Sequence, residues 1–126
     1  MKKYFYNITN RPSSEWDEKQ LEAAKEFGEI IDLPIPEVPA TATERTIHSF
    51  AADMVGTMLA KKLTEDCVIS ALVKGEPTLV YSIVTGAKME GIQCYASSFA
   101  PYTVENSDGT KTVKLEFDHF RAYAAF

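Results

Sequence analysis

Cysteine is scarce: Cys67 and Cys94 are the only two in 126 residues. Two thiols build no disulfide framework, and a metal site would need further ligands close by. Histidine is equally rare, with only His48 and His119, and neither has a second ligand at metal spacing. No metal and no cofactor are therefore expected. Long apolar runs are missing too. Stretches such as Leu79-Val80-Tyr81 fall far short of the roughly 20 residues that cross a bilayer, so no membrane contact is expected. The opening Met-Lys-Lys-Tyr-Phe-Tyr-Asn has no apolar segment after its lysines. No signal peptide is expected, and the chain reads as cytoplasmic. Basic residues are outnumbered, 13 against 18 acidic, for a net charge of −5. A binder of duplex DNA or RNA needs a concentrated basic face, so duplex nucleic acid is excluded as a partner. A small anion is not, because a helix N-terminus and a few cations hold one locally.

What is present is an ordinary globular composition, 45% apolar and 25% charged. The length fits one domain, 1–126. Residues 3–8 are aromatic and β-branched, which suits a strand. Ser14, with Asp17 three places on, reads as the cap of a first helix. Trp16, Gln20, Ala23, Ala24 and Phe27 follow at helical spacing, and Gly28 stops it. Glu29–Leu33 is a short second strand, and Pro34, Pro36 and Pro39 keep the next stretch extended. From Thr43 or Glu44 the apolar residues Ile47, Phe50, Ala51, Met54, Val55, Met58 and Leu59 form one helical stripe.

Cys67–Val73 is a continuous apolar run, the mark of a central parallel strand covered on both faces. Pro77 suits the first turn of a third helix, whose stripe is Leu79, Val80, Ile83, Val84 and Ala87. Gly91 ends it, and Ile92–Ala96 is a fourth strand. The order β-α-β-α-β-α-β implies a mostly parallel sheet with right-handed crossovers and helices on both faces, an α/β three-layer sandwich. Asn106-Ser107-Asp108-Gly109 then joins Tyr102–Glu105 to Thr110–Phe117 as a C-terminal antiparallel β-hairpin.

In such a sheet, ligands bind beyond the carboxyl ends of the strands. Here those ends are Asn7–Asn10, Lys74–Thr78 and Ser97–Pro101, all rich in hydroxyls, amides or glycine. Gly75 would let backbone approach a ligand, and the helix start after it would offer free N–H groups. Glu76 repels a phosphate placed on it, so it either caps that helix or meets a ribose hydroxyl. There is no P-loop, no G-x-G-x-x-G and no G-x-S-x-G elbow. Cys67, Cys94, Met54 and Met58 read as core. Glu15, Asp17, Glu18, Glu22 and Glu26 read as a solvated helix face. Arg121 stands out among Phe117, Phe120, Tyr123 and Phe126. Those aromatics predict an exposed apolar end that a second copy covers in a homodimer.

A buried strand leads to Gly75-Glu76-x-Thr78, then a helix with Tyr81 and Val84, then Gly91-Ile92-x-Cys94-x-Ala96-Ser97. Asp108-Gly109-x-Lys111 and Phe117-x-x-Phe120-Arg121-x-Tyr123 follow, and Asn7-x-Thr9-Asn10 opens the chain. This set resembles the small stand-alone CRISPR-associated Rossmann-fold (CARF) proteins of the ring-nuclease type, over most of the chain. The resemblance implies a Rossmann-like domain that forms a homodimer and binds a cyclic oligoadenylate, the messenger of type III CRISPR antiviral signalling. It also implies slow, metal-independent cleavage by attack of a ribose 2′-hydroxyl. Asn7, Thr9, Asn10, Gly75, Glu76, Thr78, Ser97 and Ser98 would line the ligand, with Ser97 close to the chemistry. Lys111 or Arg121 would stabilise the charge that builds on the phosphate. The chain departs at Phe99-Ala100-Pro101, apolar where polar or basic residues are expected, and this bears on cleavage more than on binding. No strong general base is evident. The alternatives are a sensor that binds the messenger without cutting it and a subunit that docks a protein partner.

Overall fold

The computed structural model describes residues 1–125. Five strands form one sheet in the order β2-β1-β3-β4-β5. They are β1 (Lys2–Ile8), β2 (Glu29–Asp32), β3 (Cys67–Val73), β4 (Gln93–Glu105) and β5 (Lys111–Ala122). The first four run parallel, and β5 returns antiparallel to β4. The helices are α1 (Glu18–Lys25), α2 (Glu44–Thr64) and α3 (Pro77–Met89). This is an α/β domain with a mostly parallel sheet, consistent with a Rossmann-like fold.

Alternation along β1 divides the core between the two faces of the sheet. Tyr4, Tyr6 and Ile8 pack with Ile47, Ala51 and Met58 of α2 and with Leu79, Ile83 and Ala87 of α3. Phe5 points the other way, onto Trp16, Ala24 and Phe27 beside α1. β1 and β3 are covered on both sides, as the apolar run over Cys67–Val73 predicts. Crossing from β1 outward to β2 and then back across to β3 reverses the strand order, so the switch point lies between β1 and β3.

Three local expectations are corrected. Asp17, not Ser14, caps α1: its carboxylate accepts from the Gln20 amide at 2.8 Å. Ser14 lies in a short 3-10 turn, Ser13–Glu15. Trp16 sits in extended backbone, which lets its ring turn inward against Phe120. The second correction concerns Ser97–Pro101, which is no loop. β4 runs straight through it, paired with β5 from Tyr95↔Ala122 to Glu105↔Lys111. β3 accompanies β4 only as far as Leu72↔Tyr95, so the rest of the hairpin projects as a two-stranded ribbon. A bulge at Ser98/Phe99, where Asp118 is the extra residue of β5, bends the ribbon at its root.

The third correction concerns the aromatic end. Phe117 is 1% exposed. Phe120 is packed with Phe5 and Trp16, and Tyr123 packs on the α2–α3 side. Phe126 lies outside the described residues. The bulge is what turns Phe117 and Phe120 onto the same side, with their rings 4.8 Å apart. Among the described residues, Phe117 is buried and Phe120 and Tyr123 are half-buried, so little aromatic surface is left there for a partner to cover.

Candidate functional site

The carboxyl ends of β1 and β3 carry the polar side chains that the fold gathers. Asn7 is 1% exposed, and its side chain is fully engaged within the protein. Its Nδ2 donates to the Arg11 carbonyl at 2.8 Å and to Asp32 Oδ1 at 2.9 Å. Its Oδ1 accepts from the Thr9 hydroxyl at 2.8 Å. The Arg11 amide in turn donates to Thr9 Oγ1 at 3.2 Å. Asp32 also accepts from the backbone and hydroxyl of Ser13. Asn7 and Thr9 therefore shape the loop after β1, while Asn10 and Arg11 at its crest stay exposed.

Gly75 does not serve as the open approach that its position suggests. A Cβ built there would lie 2.7 Å from Ile35 Cδ1, so the glycine makes room for the proline-rich segment. That segment continues β2 along β1, with Leu33 N donating to Asn7 O and Ile35 N to Thr9 O.

Of the two roles open to Glu76, the structure shows the cap. Its carboxylate accepts from Thr78 N at 3.1 Å and Leu79 N at 3.0 Å, and also from the Thr78 hydroxyl. These bonds, the Thr78 hydroxyl's foremost, hold its pKa below the ordinary carboxylate value. An anionic cap fills the place at the start of α3 where a phosphate would sit. A lowered folded pKa means that the cap stabilises above the unfolded value of about 4.3 and fades as pH falls through the folded one. Glu76→Gln is thus expected to lower the melting temperature at pH 7, with the difference shrinking below pH of about 4. Thermal melts of both proteins across pH check this.

Two openings flank the edge. On the α3 side is a cleft of about 450 Å³, walled by Val73, Pro77, Val80, Val84 and Ala96. On the α1 side is a hollow of about 70 Å³ reached by Thr9, Asn10 and Arg11. Lys74 and Ser97 line both, so they form the ridge between them. Ser98 accepts from Arg121 Nη2 at 3.3 Å, which puts that guanidinium beside the ridge. Thr78 faces a different cleft of about 610 Å³, between the starts of α2 and α3, together with Thr43 and His48.

Lys111 is not gathered with the others. It pairs opposite Glu105 at the far end of the ribbon. At about 3.3 Å per residue, that leaves it on the order of 25 Å from the sheet edge. Lys74, Tyr81 and Arg11 are side chains at this edge to which the sequence alone assigns no role. Lys74 had a signal: it is the charged residue directly after a buried strand. No group of three His, Cys, Asp or Glu able to hold a metal occurs among the described residues. Cys94 is inert as a nucleophile, because burial pushes its thiol pKa up to about 12.

Taken together, fold and edge define an α/β domain with a mostly parallel sheet and a cleft beyond the strand ends, where such sheets take small ligands. The chain belongs to the uncharacterized protein MJ1673 family, whose model matches residues 3–121. No curated protein and no solved structure matches it.

Proposed function

We propose that this protein binds a cyclic oligoadenylate at the carboxyl edge of its sheet and cuts it slowly without a metal. In this reading it is a cytoplasmic homodimer of the CARF ring-nuclease type, acting in type III CRISPR antiviral signalling. The observation that carries the reading is the ridge: Lys74 and Ser97 stand between two openings beside the switch point. With Arg121 on the neighbouring strand, the edge holds cations in a chain whose net charge is −5. Cleavage then needs only the ligand's own nucleophile. The 2′-hydroxyl oxygen forms a bond to phosphorus and gives up its proton to solvent, the bond to the 5′-oxygen breaks, and that oxygen takes up a proton. The product is a 2′,3′-cyclic phosphate. Arg121 supports the negative charge on the phosphoryl oxygens.

A ligand on a two-fold axis needs a second copy. Support for the dimer comes from the α2–α3 face, where exposed Met89 borders a groove with Ala52, Val55, Gly56 and Gly86. A second reading, the non-cutting sensor, is favoured by a specific observation. Glu76 occupies the start of α3, and Lys111 lies far off, so few donors are left to stabilise a transition state.

Cyclic tri-, tetra- and hexa-adenylate are the probes. One of them is expected to raise the melting temperature with the logarithm of its concentration, as ligands of the native state do. AMP and ATP should do much less. Equal stabilisation by mononucleotides would reduce the site to a general nucleotide pocket. Light scattering of the same samples should return the mass of a dimer, and a monomer at tens of micromolar removes the shared site.

A further inference from the structure

The buried stripe of α3 runs through Leu79, Ile83 and Ala87, and Tyr81 lies off it, 71% exposed. An aromatic ring left in water on a helix is uninformative when isolated. This one stands at the 450 Å³ cleft, beside the apolar side chains of Val80, Val84 and Pro77. Tyr123 lines the same cleft, tied down by its hydroxyl bond to the Val73 carbonyl at 3.3 Å. Lys74 reaches the cleft too and forms no ion pair among the described residues. Its ammonium lies 6.0 Å from the Phe99 ring centroid, on the ridge toward the 70 Å³ hollow that Phe99 lines.

Apolar walls and an exposed ring at one opening, with a cation on the ridge beside it, match a flat aromatic ring that carries a phosphate. The volume admits a two-ring base. We propose that this cleft is a base subsite, in which a purine stacks on Tyr81 while its phosphate lies against Lys74. The inference rests on the adenylate class of ligand proposed above, but it requires neither a cyclic ligand nor cleavage.

The test is calorimetric titration of wild type, Tyr81→Ala and Tyr81→Phe with AMP and with cyclic tetra-adenylate. Because Tyr81 is exposed, both variants should melt with the wild type. Tyr81→Ala is expected to weaken binding on the order of 10-fold or more, the worth of one stacked base. Tyr81→Phe keeps the ring face and should bind within about twofold of wild type. Equal affinity for wild type and Tyr81→Ala overturns the subsite. So does an equal loss in both variants, which assigns a hydroxyl contact instead of stacking. Tyr81-dependent binding of AMP without any binding of the cyclic probe upholds the subsite and removes the cyclic-messenger reading. Failure of every adenine nucleotide to bind the wild type removes both.

Discussion

Phe117→Ala is expected to destabilise the protein by about 3–5 kcal/mol, the range for truncating a fully buried phenylalanine. Phe117 is 1% exposed, and its ring centroid lies 4.8 Å from that of Phe120 and 5.8 Å from that of Phe99. Phe120 in turn reaches Phe5 at 5.1 Å and Trp16 at 6.3 Å. The side chain thus ties the root of the ribbon to the α1 layer. Its loss opens a cavity that a bulged, two-stranded element has few contacts to close. Urea denaturation followed by Trp16 fluorescence reads the change as a lower midpoint at similar slope. The opposite view treats the aromatic end as a docking surface. On that view stability would hardly change and self-association would be lost, so one pair of measurements separates the two.

Arg121→Ala is expected to slow the proposed cleavage on the order of 100-fold, the usual cost of one donor to a developing charge. Affinity should move little, because the residue is exposed and its one side-chain hydrogen bond among the described residues is to Ser98 Oγ at 3.3 Å. Cleavage should continue in excess EDTA, since the nucleophile belongs to the ribose, and should leave a 2′,3′-cyclic phosphate. Lys111→Ala serves as the internal contrast. At the tip of the ribbon it should leave the rate unchanged. Single-turnover assays with product analysis distinguish the outcomes. Chelator-sensitive cleavage giving a 5′-phosphate overturns this chemistry. Tight binding with no product over hours assigns the protein to the sensor reading.

The difference between Arg121 and Lys111 shows how residues near each other in sequence can part in space. Both belong to the basic set near the end of the chain. Antiparallel pairing sets Arg121 opposite Ala96 and Lys111 opposite Glu105, at opposite ends of one ribbon. Only the length of β4 decides this. Burial along β4 lasts only to Phe99, and from Ala100 onward all but Val104 are exposed, so little there requires a buried face. The ribbon is held by its backbone ladder, which leaves little mark in the side chains.

What the chain determines by itself are features that act over a few residues. The i, i+3, i+4 stripe from Ile47 onward makes α2, and the unbroken apolar run at Cys67–Val73 makes a central strand. Pro77 fits the first turn of α3, and Asp108-Gly109 turns the hairpin. Together they imply a mostly parallel α/β sheet with its strand ends gathered at one edge. Whether a polar residue at that edge faces a ligand or the protein was settled by tertiary contacts alone. Asn7 is bonded to Asp32 from another strand, Gly75 is filled by Ile35, and Asp17 takes the capping role from Ser14 once Trp16 turns inward. Each depends on a partner brought near by packing, and a hydrogen-bonding side chain looks the same in sequence whichever partner it meets.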